Sequence, residues 1–457
     1  MANGSGQRWD GVDSNPYSTA GVNGAEGCPA LEAVRAQCAK SRSLFEDAQF
    51  PADTKSIFSN STPRSVPVTW LRAPEIARRR RLSPTFNSSL PPGQHLSLVR
   101  GPLGDRWVFS ALAVISEYPD LLRVIVPDGQ SFTTQYCGAF GFRFWRIGLW
   151  HEVVVDDRLP TDSSGELLCL SAGGDFLTAL LEKAYAKFCG SYEALKSLSI
   201  MDVLAEFTGG MMELFELKSL AKNADVASEL NNVLFKAFER QSLVGAATAS
   251  SYPRPEGELP SGLLSCHTYS VTDIKEIRLI QQVERGAPGG DQQSVTLLRV
   301  RNQMGRATWR GDWSEGSSQW MALLPPDREA MGLVLDDEAE FWIDLRDLLA
   351  QFELLFLCHM PSLPASPSQP PATPFWNAFE LPGAWLRNVS AGGSRKFLGM
   401  FLAMYLCNAR ILLNFSALLH VAESFPHDIS VRYDIPYEYE SFIPINLFSD
   451  FTSASCG

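Results

Sequence analysis

The chain has 457 residues, 45% hydrophobic and 11% aromatic, too long for one ordinary core and apolar enough to bury two to four. A formal charge of −12 excludes a general nucleic-acid binder, because neutralising phosphates requires a basic face. Nine scattered cysteines include no C-x-x-C pair, so neither a zinc site nor a disulfide framework is expected, and reduced thiols in a cytoplasmic protein are the plain reading.

Residues 1–43 are rich in Gly, Ser, Asn and Ala, carry no apolar secretory core, and predict a flexible or loosely helical leader. From Leu44 the texture changes, with Phe45, Phe50, Trp70 and Trp107 as large anchors. Arg78 to Arg81 read as a solvated basic run after a helix. Val108 to Ile115 carry apolar residues at helical spacing and predict a buried helix. Phe142 to Val155 read as two strands about Gly148, closed by turn chemistry over Asp156 to Pro160. There Arg158 accounts for the carboxylate pair Asp156–Asp157 without acid–base work. Leu177 to Phe188 are amphipathic and predict a helix ending near Gly190.

Beyond Gly209-Gly210, Ser270-Val271 and Val295 to Val300 read as strands of a mostly antiparallel sheet. Six prolines between Pro361 and Pro374 mark a linker. The apolar stretch from Phe397 to Val421 runs only eleven residues before Asn408, short of the roughly 20 a membrane span needs, so buried strands are expected there.

Several motifs together are specific. Arg100-Gly101-Pro102-Leu103-Gly104-Asp105-Arg106-Trp107 stands against the Gln-Gly-x-Leu-Gly-Asp-Cys-Trp motif that opens the first helix of calpains. Val153 to Thr161, Leu180 to Lys187, Gly190 to Leu195 and Phe207-Thr208-Gly209-Gly210 look like the hairpin, helix, turn and lobe boundary of that family. His267-Thr268-Tyr269-Ser270-Val271 falls on its histidine motif, and Arg301 to Gly305 with Trp309 and Trp313 on its Asn-Pro-Trp-Gly motif. Over roughly residues 44–360 the chain resembles a calpain protease core. Leu381 to Trp385 and Ser390 to Gly393 look like the opening of the family's C2-like β-sandwich.

The resemblance implies an α+β fold: a papain-like two-lobe protease core with lobe 1 over 44–210 and lobe 2 over 211–355. A Pro-rich linker and a partial C2-like region would follow over 356–457. It also implies a thiol protease whose cysteine lies at a helix N-terminus, with a histidine to exchange the proton and an asparagine to orient the ring. His267 and Asn302 stand at the last two positions. Arg106 stands at the nucleophile and Arg100 at the oxyanion donor. A guanidinium stays protonated and has no nucleophilic lone pair, so the chain as written is expected to lack peptidase activity and to act by binding. The alternative is an active calcium-dependent endopeptidase whose residue 106 is Cys. Cys266 is not expected to substitute, since neighbours in a strand face opposite sides.

Calcium is the regulator the resemblance implies. Asp175 falls on an acidic ligand position of the first lobe, where the partner acid is Ser97, and Glu315, Glu338 and Glu340 fall on positions of the second, where a further acid is Thr308. The implied partners are proteins, with a membrane surface as a further partner of the C2-like region.

Overall fold

The computed structural model of the chain describes residues 28–58, 68–87, 98–146, 149–171, 174–220, 224–248, 257–278, 294–302, 309–323, 331 and 340–360. Helix α1 spans Pro29–Ser41, with proline in the first turn, where its missing N–H is no loss. Its buried Cys28, Leu31 and Cys38 pack with Cys137, Ala139 and Val154. The Ala30 amide also donates to Glu152 Oε2 at 3.0 Å. The leader expected to be flexible or loosely helical to residue 43 is therefore docked from Cys28 onward; a stripe of Leu31, Val34 and Cys38 suffices to anchor one helix face.

Strand β1 (Thr69–Arg72) leads directly into α2 (Ala73–Arg79). Arg78 and Arg79 lie in the last turn of α2, and Arg81 turns the chain at φ 58°. Helix α3 (Arg106–Ile115) buries every residue from Val108 to Ile115, which is why that stretch carries no charge. Each fully buried aliphatic side chain there contributes roughly 1.5–3 kcal/mol. After α4 (Pro119–Ile125), β2 (Ala139–Arg146) and β3 (Leu149–Asp156) pair as an antiparallel hairpin, Arg146 opposite Leu149. Strand β4 (Arg158–Thr161) pairs with β1. Helices α5 (Leu177–Cys189), α6 (Tyr192–Leu195) and α7 (Ile200–Thr208) complete this lobe; Gly190 ends α5 at φ 105°.

Arg158 does pair with the Asp156–Asp157 turn, but as one part of a buried ion network. Both carboxylates are fully buried. Asp156 takes Lys183 Nζ at 2.6 Å and Arg158 Nη2 at 2.6 Å, while Asp157 takes Arg72 Nη1 at 2.5 Å and the Tyr136 hydroxyl at 2.5 Å. Burial opposes ionising Asp156, but Lys183 and Arg158 outweigh it and hold its carboxyl below the usual range. Lys183, completely buried beneath the sequence it staples, is pushed down by burial.

The second lobe is one six-stranded antiparallel sheet in the order β5-β10-β6-β7-β8-β9. Its strands are β5 (Met211–Glu216), β6 (Leu243–Thr248), β7 (Thr268–Arg278), β8 (Ser294–Arg301), β9 (Glu340–Asp344) and β10 (Phe352–His359). Helices α8 (Leu217–Leu220), α9 (Ala224–Glu239) and α10 (Leu345–Gln351) accompany it, and Leu217, Leu234, Leu348 and Trp309 join its core. A further cluster gathers Trp313, Trp320 and Trp342, so the tryptophans serve packing. The boundary expected at residue 355 falls inside β10, which sits between β5 and β6 and belongs to this sheet to His359. The linker and sandwich expected beyond, with Phe397 to Val421, lie outside the described residues. Among the described residues no helix is long and apolar enough to cross a membrane.

Candidate functional site

The start of α3 is held rigidly. Asp105 caps it, accepting from the Trp107 and Val108 amides at 2.8 and 3.1 Å. The loop before it lies against residues 168–170: Leu103 N donates to Leu168 O at 2.7 Å, and a Cβ on Gly101 would meet the Leu168 and Cys169 carbonyls at 2.5 Å. Only glycine fits that approach. Glu182, wholly buried on α5, clamps the two segments together by accepting from Asp105 N at 2.8 Å and Leu170 N at 2.7 Å. Burial pushes Glu182 up to about 7, against the pull of those two amides. Burial likewise raises Asp105, against its helix amides and Arg106.

Arg106, the first residue of α3, is half-buried, with its guanidinium carbon 4.1 Å from the centroid of the Trp107 ring. Across the lobe boundary, His267 Nε2 lies 2.8 Å from Asn302 Oδ1. With that oxygen as acceptor, Nε2 carries the hydrogen and Nδ1 is the basic nitrogen of the neutral ring. Both side chains are buried, Asn302 completely. The ring stands edge-on to Tyr269 at 4.9 Å, and the His267 amide donates to Thr248 Oγ1 at 3.0 Å. These contacts fix the imidazole where β7 begins, beside the end of β8. Ser110 Oγ on α3 donates to Thr268 Oγ1 at 2.9 Å, joining the lobes next to the histidine.

One recess is lined by Arg100, Arg106, Phe109 and Ser110 from one lobe and by Cys266, His267 and Thr268 from the other. It brings together the expected catalytic positions Arg100, Arg106 and His267, with Asn302 behind His267 and none of the expected metal positions. Gln303, Met304, Ser97 and Thr308 lie outside the described residues.

Cys266 departs from expectation. It precedes β7 rather than lying in it, adopts φ 54°, and lines the same recess as His267. Strand alternation does not apply to it, because the chain is turning there. Neither the Glu182 clamp nor the Ser110–Thr268 bridge was apparent from sequence; each joins residues distant in the chain, and no local pattern encodes them.

Among the described residues the acidic side chains do not form a cation cage. Asp175 already accepts from Leu177 N at 2.8 Å, Asn87 N at 3.0 Å and the Thr85 hydroxyl at 3.4 Å, and so fastens the loop before α5. Glu340 is paired with Arg301 at 2.9 Å and also with Arg299. Glu315 is exposed, and Glu338 lies outside the described residues. Among the described residues no three acidic, histidine or cysteine side chains are grouped as metal ligands. Carboxylates already satisfied by amides or guanidiniums do not fit a hard dication, which wants six to eight oxygens.

Residues 45–359 match the model of a family described as calpain family cysteine protease. The chain is 36% identical over 376 residues to calpain clp-1 of Caenorhabditis elegans, covering 80% of this chain and 45% of the relative. It is 35% identical over 373 residues to calpain-9 of Homo sapiens, covering 81% and 50%, and 36% identical over 376 residues to the calpain-1 catalytic subunit of Sus scrofa, covering 81% and 49%. The chain thus spans about half the length of these relatives.

Proposed function

Since this chain belongs to the calpain family of cysteine proteases, we propose that it is a non-proteolytic member whose interlobe cleft binds extended protein segments without cutting them. One observation carries this: the His267–Asn302 pair is assembled and buried, yet the recess it faces presents Arg106 at the helix start instead of a thiol. In this reading His267 keeps the place of the general base and Asn302 that of its orienter. Arg106 occupies the nucleophile's place and Arg100 that of the oxyanion donor. Losing a nucleophile of this kind costs on the order of 10⁶ in rate. The fold does not need the thiol, because the lobes are held by the Ser110–Thr268 bond and an ion pair of Arg301 with Glu117 at 3.5 Å.

Calcium, the family's regulator, is not carried over as a strong ligand of Asp175, Glu315, Glu338 and Glu340. The engagement of Asp175 and Glu340 by other groups makes binding weak in this reading. A C2-like region beyond residue 360 would add a membrane-facing surface.

The test is peptide cleavage against peptide binding. The full chain, given a quenched casein-derived peptide with 1 mM calcium, is expected to bind it and leave it intact. Turnover that survives repurification and vanishes in His267→Ala would overturn the proposal.

A further inference from the structure

Two arginines line the recess that faces His267, one of them on the first turn of α3. No carboxylate among the described residues forms an ion pair with Arg106; its guanidinium lies on the Trp107 ring. The adjacent acid, Asp105, is buried and turned inward to the Trp107 and Val108 amides. Arg106 therefore presents a positive charge at the cleft in a chain of formal charge −12. A guanidinium backed by an aromatic face, beside a second guanidinium, suits a planar or tetrahedral oxyanion through forked hydrogen bonds. The recess has room for about one water, so a larger group would reach the exposed Arg100 and half-buried Arg106 from the solvent side.

We propose that this site selects extended peptides carrying an anionic side chain, carboxylate or phosphate, which Arg106 captures with help from Arg100. The inference rests on the reading of the cleft as a peptide groove and names the class of peptide it takes. A catalytic thiolate in this place would repel such a group; the arginine attracts it.

The experiment measures fluorescence anisotropy of the full chain with labelled, end-blocked decapeptide pools, degenerate except for a central Glu, Gln or phosphoserine. The Glu and phosphoserine pools are expected to bind about 10- to 100-fold tighter than the Gln pool at low salt. That preference is expected to vanish in Arg106→Met, to shrink in Arg100→Met, and to fall as salt rises. Thermal melting confirms that the variants remain folded. Tighter phosphoserine than Glu binding assigns phosphate as the preferred source, and the reverse assigns carboxylate. If neither the Glu nor the phosphoserine pool binds tighter than the Gln pool, selection for anions is wrong while the peptide groove stands. If no pool binds, the groove itself is wrong and selection falls with it.

Discussion

The side chain of Glu182 reaches from α5 to the amide of Asp105, 2.8 Å away, and so decides where the first turn of α3 stands. Its second oxygen holds Leu170 N at 2.7 Å, so one buried carboxyl anchors both walls of the loop that carries Arg100 and Arg106.

That carboxyl gives a pH dependence with a definite sign. Burial raises it from 4.5 in the unfolded chain to about 7, so the native state holds the proton more tightly. Native stability is therefore greatest below about 4.5 on this account, falls as pH rises, and levels off above about 7. The span corresponds to roughly 3 kcal/mol, taking 1.36 kcal/mol per pH unit. Melting curves of wild type and Glu182→Gln between pH 5 and 8 check this. The variant should show a flatter profile over that window, and parallel profiles would rule out Glu182 as the titrating group.

Lys183 and Asp156 form a completely buried ion pair at 2.6 Å. Lys183→Met leaves Asp156 with Arg158 as its remaining cation, beside the Asp47 amide, and is expected to destabilise by about 3–5 kcal/mol. Replacing both, as Lys183→Met with Asp156→Leu, should cost less than Lys183→Met alone, since no uncompensated charge remains inside. Urea denaturation of the three proteins measures it; a double variant weaker than Lys183→Met would contradict the prediction.

Restoring the missing thiol should not restore a protease. Arg106→Cys is expected to gain little peptidase activity, because Arg100 still stands in the recess. A peptidyl epoxide is expected to leave the unmodified chain unlabelled at residue 106. Mass spectrometry after tryptic digestion also reads Cys266, which shares the recess, and an adduct there blocked by His267→Ala would assign it nucleophilic character.

Calcium should stabilise the chain little. With Asp175 held by two amides and Glu340 held by arginines, 1 mM calcium is expected to shift Tm by no more than about 1 °C. Differential scanning calorimetry with magnesium as control reads this, and a shift of several degrees specific to calcium would show a competent site.

Much of this fold was legible because its strongest signals are local. The uncharged run Val108 to Ile115 could only be buried, and it forms most of α3. The amphipathic repeat ending at Gly190 is α5, and the stretch read as two strands over Phe142 to Val155 is part of the β2–β3 hairpin. Pairing of His267 with Asn302 was legible only through motif resemblance, since 35 residues separate them and neither means anything alone. Helix α1 was legible only as a loosely helical leader, and its docking through three apolar positions was not foreseen. Nothing local marks Lys183 as buried, and only the tertiary fold shows that it lies beneath Asp156. The position of Cys266 depends on a backbone turn that alternation cannot foresee.

Strand β10 lies in the sheet between β5 and β6, with His359 opposite Met211. During synthesis the earlier strands emerge from the ribosome with that slot vacant, so β5 has no neighbour until the chain is built to His359. Premature termination anywhere before Phe352 would strand an unpaired edge and an open core, a species prone to capture by chaperones or to aggregation. The lobe that carries His267 and Asn302 is therefore finished by its last eight residues.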